Sequence, residues 1–107
     1  MAVVDDYSPM YENDTLPNLV CQFQAKDFTP INLTGATFAL VMVSSTGTRK
    51  VGAGSWTIDN ATAGQAHYAW NSADTNTAGS WNLQVAITIA GAAQHFDLKP
   101  LDIDPTL

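Results

Sequence analysis

From residue 19 the chain takes up a period of two. Leu19, Cys21, Phe23 and Ala25 alternate with Val20, Gln22, Gln24 and Lys26, the pattern of a strand with one buried face. Asp27-Phe28-Thr29-Pro30 reads as a turn, and Asn32-Leu33-Thr34-Gly35 supplies side-chain capping and a flexible glycine before the next strand. In that strand Ala36, Phe38, Leu40 and Met42 share one face. Thr37, Ala39, Val41 and Val43 share the other, which is itself fairly apolar, so cover on both faces is expected.

Ser44 to Thr48 closes a hairpin, and Arg49-Lys50-Val51 is a short edge segment whose charges discourage strand addition. Trp56 and Ile58 mark another short strand, followed by a turn over Asp59 to Gly64. Ala66, Tyr68 and Trp70 alternate with Gln65, His67 and Ala69, after which Ser72 is placed to cap one helical turn over Ala73-Asp74-Thr75. The longest alternation runs through Trp81, Leu83, Val85, Ile87 and Ile89. Residues 94–103 form a last strand carrying Phe96, Leu98, Leu101 and Ile103, and Pro100 makes it bent or an edge.

About seven short strands with frequent turns predict an all-β antiparallel sandwich, and nothing has the length or period of an α/β crossover helix. The sandwich spans residues 19–107 as one domain. Residues 1–18 carry neither period and read as an extended N-terminal arm, with Tyr7, Met10 and Tyr11 as apolar anchors. On this division, removing residues 1–14 leaves the fold intact and weakens assembly.

Composition narrows the function. Charged residues make up 13% of the chain and the net charge is −6, so the surface is built mainly from neutral polar side chains. Lys26, Arg49, Lys50 and Lys99 are too scattered to neutralise a run of phosphates, so neither nucleic acid nor an anionic membrane is an expected partner. Cys21 is the one cysteine and sits in an apolar alternation, which makes it a small buried hydrophobe. The first residues lack a basic segment followed by an apolar one, and the apolar runs fall far short of a bilayer span, so synthesis in a cytoplasm is expected.

No constellation for chemistry stands out. His67 and His95 are far apart in sequence, and Cys21 is predicted to face inward, so they make a poor metal set. Asp102-x-Asp104 and Asp5-Asp6 lack the regular acidic spacing of a calcium loop. Nine of the ten acids are Asp, placed in turns and at the ends, where the side chain bonds local backbone. Asn13-Asp14-Thr15, Asn32-Leu33-Thr34 and Asn60-Ala61-Thr62 read as turn and capping chemistry rather than glycosylation sites. The expectation is a protein without catalytic residues, metal or cofactor.

Three stretches in fixed order carry a resemblance. They are Asn32-Leu33-Thr34-Gly35-Ala36, then Ala63-Gly64-Gln65-Ala66-His67-Tyr68-Ala69-Trp70, then Ala73-Asp74-Thr75 through Ala78-Gly79-Ser80-Trp81. Together they resemble the N-terminal domain of phage baseplate upper proteins over residues 19–103. The family pattern has an acid at position 32 and more often Tyr at position 81. The resemblance implies an immunoglobulin-like sandwich in a virion, joining larger phage components in multiple copies, and it brings no catalytic residues.

The function expected is a non-enzymatic structural component of a tailed-phage virion: a tail, baseplate or neck adaptor, or a capsid decoration protein. Its partners would be other virion proteins and further copies of itself, through Tyr7, Met10, Tyr11, Leu101 and Ile103. The alternative is a carbohydrate-binding sandwich used in host adsorption, with Trp56 as an exposed stacking platform. Trp81 belongs to the core in either case. Trp81→Ala is expected to cost about 3–5 kcal/mol in urea unfolding; an unchanged midpoint would remove Trp81 from the core.

Overall fold

The computed structural model describes residues 2–4 and 7–106. Among them are ten strand segments and no helix: β1 (Ala2–Val4), β2 (Met10–Tyr11), β3 (Leu19–Phe23), β4 (Thr37–Ser44), β5 (Arg49–Val51), β6 (Ser55–Asn60), β7 (Gln65–Ala69), β8 (Gly79–Ile89), β9 (Ala92–Asp97) and β10 (Leu101–Asp104). They make two sheets, one in the order β1-β3-β7-β6 and one in the order β2-β10-β8-β4-β5, with β9 also beside β8. The fold is an all-β sandwich, and only the β2–β10 pair is parallel among these neighbours.

The alternation read from the sequence supplies the facing surfaces. Leu19, Cys21, Phe23, Ala66 and Tyr68 point inward from the first sheet, and Leu40, Met42, Trp81, Leu83, Val85 and Ile87 from the second. Phe23 and Phe96 meet across the core with ring centroids 5.2 Å apart. Phe38 is only half-buried, and so are Val41 and Val43 on the opposite face of β4. Cover on both faces of β4 is therefore incomplete, because no further layer packs on that sheet.

β8 is the spine of the larger sheet. One edge pairs with β4 from Trp81 to Thr88. The other is shared, β10 pairing with Gly79 to Trp81 and β9 with Gln84 to Ile89. The expected strand over 94–103 is thus two strands on one edge. Leu98 still donates its N–H to the Leu83 carbonyl at 3.0 Å, but Pro100 has no N–H to offer. The turn at 61–64 closes tightly: Gly64 has φ +70°, and a Cβ there would lie 2.5 Å from the Phe23 carbonyl oxygen.

Two further expectations change. Residues 73–75 form a turn rather than a helical turn, and Asn71, not Ser72, caps it, its Oδ1 accepting the Ala73 N–H at 2.9 Å. The second change concerns the arm. β1 adds antiparallel to β3 at the edge of one sheet, and β2 adds parallel to β10 at the edge of the other. Tyr7 and Met10 between and within them are each 2% exposed. The arm belongs to the sandwich, because its apolar residues complete the core of this same chain. Met1, Asp5, Asp6 and Leu107 lie outside the described residues, so an Asp5-Asp6 calcium contribution does too.

Removal of residues 1–14 is therefore expected to destabilise the domain rather than spare it. Met10→Ala alone should cost about 2–5 kcal/mol in urea unfolding. An unchanged midpoint would return the arm to the surface.

Candidate functional site

The polar centre of the molecule is Asp74, 1% exposed in the turn between β7 and β8. Its carboxyl group receives the Tyr68 hydroxyl at 2.5 Å, the Ala53 N–H at 2.8 Å and the Asn71 N–H at 3.0 Å. The Tyr68 oxygen in turn accepts the Gly54 N–H at 2.7 Å. Gly54 has to be glycine for this approach: a Cβ there would fall 1.9 Å from the Ala69 carbonyl oxygen. One side chain thereby ties β7 to the β5–β6 connection and to its own turn.

Thr75, fully buried, does the same for the arm. Its hydroxyl donates to the Asp14 carbonyl at 2.7 Å, and its carbonyl accepts the Asn13 N–H at 3.0 Å. Trp70 adds a third tie, its Nε1–H donating to the Pro17 carbonyl at 3.0 Å. From β5, Lys50 reaches the same turn, its Nζ 2.5 Å from Asn76 Oδ1 and 5.1 Å from the centre of the Trp81 ring. Lys50 is opposite the inward-facing Met42 and so points into the sandwich from an edge strand.

This arrangement decides where the expected contact residues lie. Met10 pairs with Ile103, and both are buried with Tyr7 and Leu101 in one cluster. The Tyr7 hydroxyl donates to the Lys99 carbonyl. These four are core residues and offer no surface to another protein, since the chain fills that position itself. Tyr11, their neighbour, is 55% exposed, and Leu16 beside it in the arm is 70% exposed.

Trp56 is not an exposed platform. It stacks on Phe38 at 4.9 Å and 18°, tilts against Tyr68 at 5.2 Å, and its Nε1 is buried without a hydrogen-bond partner in the described residues. The pattern of β6 places it on the inner side, and its aromatic neighbours take up its ring. His67 lies on the outer face of the first sheet with Nδ1 2.9 Å from the Asp59 carboxyl group. His95 is on β9, in the other sheet. Among the described residues no three His, Cys, Asp or Glu side chains converge as a metal set.

The apolar surface that remains is concentrated at sheet edges and ends. Phe28 is 65% exposed with φ 68°, a strained left-handed conformation for an aromatic residue. Three residues on, Ile31 faces the β8–β9 hairpin across an open cleft of about 190 Å³ lined also by Ile87, Ile89, Ala92 and Phe96. The sequence shows these residues as strand and turn members, but not that they line one cleft. No protein-family model matches the chain, and no curated protein matches it.

Burial raises the pKa of both Tyr7 and Tyr68 well above the free phenol value of 10.0; a nearby Cys21 adds to the effect on Tyr7, and the Asp74 carboxyl to that on Tyr68. The folded chain therefore holds its phenol protons where the unfolded chain has released them. Stability is expected to be insensitive to these groups below about pH 9 and to fall as pH rises beyond about 10. Urea unfolding followed across that range measures it. Ionisation of all tyrosines near pH 10 in the folded protein would contradict the burial of both hydroxyls.

Proposed function

We propose that this chain is a non-enzymatic structural component of a tailed-phage virion, acting through protein–protein contacts. The observation that carries the reading is the convergence of the family-like markers. Leu33, Tyr68, Trp70, Asp74, Thr75 and Trp81 come from three separate stretches, and all are buried. Through Asp74, Tyr68 and Thr75 they organise the β7–β8 turn and anchor the arm. Other members of the same stretches, among them Asn32, Thr34, Gly35, Ala73, Gly79 and Ser80, are exposed and belong to the turns that enter or leave the strands.

The strand order supports an immunoglobulin-like classification. β1-β3-β7-β6 faces β2-β10-β8-β4-β5, with the first strand divided between the two sheets, and this follows the arrangement of that fold with an added strand at one edge. Such a domain presents sheet faces and edges with few charged side chains to its neighbours. The partners on this reading are other virion proteins and further copies of the chain, at a tail, baseplate, neck or capsid surface. Of the arm and C-terminal residues first assigned to contacts, Tyr11 is the one with the exposure to make them.

Cryo-electron microscopy of purified phage particles encoding this chain tests the proposal. Density for the sandwich at a symmetric position on the particle is expected. Particles that lack the protein while it accumulates free in infected cells would overturn the virion reading.

A further inference from the structure

Lys50 is held in a way that its strand does not require. On an edge strand a lysine ordinarily extends its ammonium group into water, yet Lys50 is half-buried. Its Nζ lies over the Trp81 ring and donates to three neutral acceptors of the β7–β8 connection. These are Asn76 Oδ1 at 2.5 Å, the Ala73 carbonyl at 3.3 Å and Thr77 Oγ1 at 3.3 Å. Among the described residues the one ion pair is His67–Asp59, so no carboxylate holds this amine. The contact with Asn76 is the closest of the three, and it is shorter than the usual range of about 2.7–3.2 Å for an N–H···O bond.

The acceptor is equally fixed. Asn76 follows the turn that Asp74 and Asn71 hold together, and the Asp74 carboxyl also receives the Ala53 N–H from the segment just after β5. The buried carboxyl group thus sets the position of the turn relative to the strand that carries Lys50. Asn76 Oδ1 takes a second donor, the Thr77 hydroxyl at 3.0 Å. Two donors on one amide oxygen draw electron density from Cγ, and they are placed to stabilise negative charge on that oxygen when Cγ is attacked. A primary amine and a polarised primary carboxamide, held in contact by separate elements, are the reactants of a transamidation with their approach already made.

We propose that Lys50 and Asn76 join in an intramolecular isopeptide bond. The Lys50 ammonium gives one proton to water, and the lone pair of the free amine attacks Cγ of Asn76. As the Nζ–Cγ bond forms, negative charge passes to Oδ1, where the Thr77 hydroxyl meets it. The carbonyl then re-forms and the Cγ–Nδ2 bond breaks. Nδ2 leaves as ammonia with a proton from Nζ, and the ammonia takes up the proton released at the start. An ammonium group and a primary amide become a secondary amide and an ammonium ion, with no oxidant, reductant or further reactant. The product removes one positive charge from the chain and closes a covalent loop between β5 and the β7–β8 connection. Such a loop restricts the unfolded chain, so it reinforces the constraint that Asp74 imposes on the same segments.

Intact-mass spectrometry of the full chain under unfolding conditions tests the proposal. The main species should be lighter than its sequence by one ammonia, and trypsin should cleave after Arg49 but not after Lys50. Lys50→Arg and Asn76→Ala should each restore the full mass of the variant sequence and leave no cross-link. Asn76 is exposed, so Asn76→Ala removes the electrophile without opening the core; near-UV circular dichroism checks that both variants are folded.

A folded chain that keeps its full sequence mass after prolonged incubation at neutral and mildly alkaline pH would overturn the proposal. So would a loss of ammonia that persists in Lys50→Arg or in Asn76→Ala, because it would belong to another amide or to a reaction without the lysine. Particle assembly plays no part in this chemistry, so either result leaves the virion reading standing.

Discussion

A buried carboxyl group has to find its donors inside the protein, and in this molecule that requirement shapes everything around it. Asp74 finds three, from Tyr68 on β7, from Ala53 in the β5–β6 connection and from Asn71 in its own turn. Losing one would leave a buried acceptor or donor unpaired, at a cost of about 1–3 kcal/mol. The bonds therefore hold segments that are distant in sequence to a single geometry. Gly54 is part of the same constraint, since its lack of a side chain lets the connection approach the Tyr68 hydroxyl.

Because Asp74 fixes the turn, Thr75 is presented to the arm. The arm then runs from one sheet to the other, β1 pairing with β3 and β2 with β10. Tyr7 and Met10 complete the core that the later strands leave open. The consequence for function is a change of surface. Residues with the chemistry of contact anchors are spent on the fold, and what faces outward is Tyr11, Leu16, the outer sheet faces and their edges.

The period-two strands were legible in the sequence. Leu19 to Phe23, Ala66 to Trp70 and Trp81 to Ile87 alternate as a half-buried sheet must, and their inward members are the core. The arm was not legible, because Met10 sits in a two-residue strand and Tyr7 lies between strands, each held by contacts to residues about 90 positions away. Asp74 looked like a turn acid because nothing local marks it as buried; its partners come from β7 and the β5–β6 connection. Trp56 carried an ambiguous signal: β6 alternates weakly, and only the positions of Phe38 and Tyr68 show which side its ring takes. The cleft between Ile31 and the β8–β9 hairpin brings together residues distant in sequence, which no local pattern encodes.

Native-state amide hydrogen exchange on the intact chain tests most directly whether the arm is part of the sandwich. The Glu12 N–H donates to the Asp104 carbonyl at 2.9 Å and the Asn13 N–H to the Thr75 carbonyl at 3.0 Å. Both amides should be protected to within about tenfold of the core amides of β3 and β7. Exchange of Glu12 and Asn13 at the rate of an unstructured chain, while β3 and β7 remain protected, would contradict an arm tied in through Asp74 and Thr75.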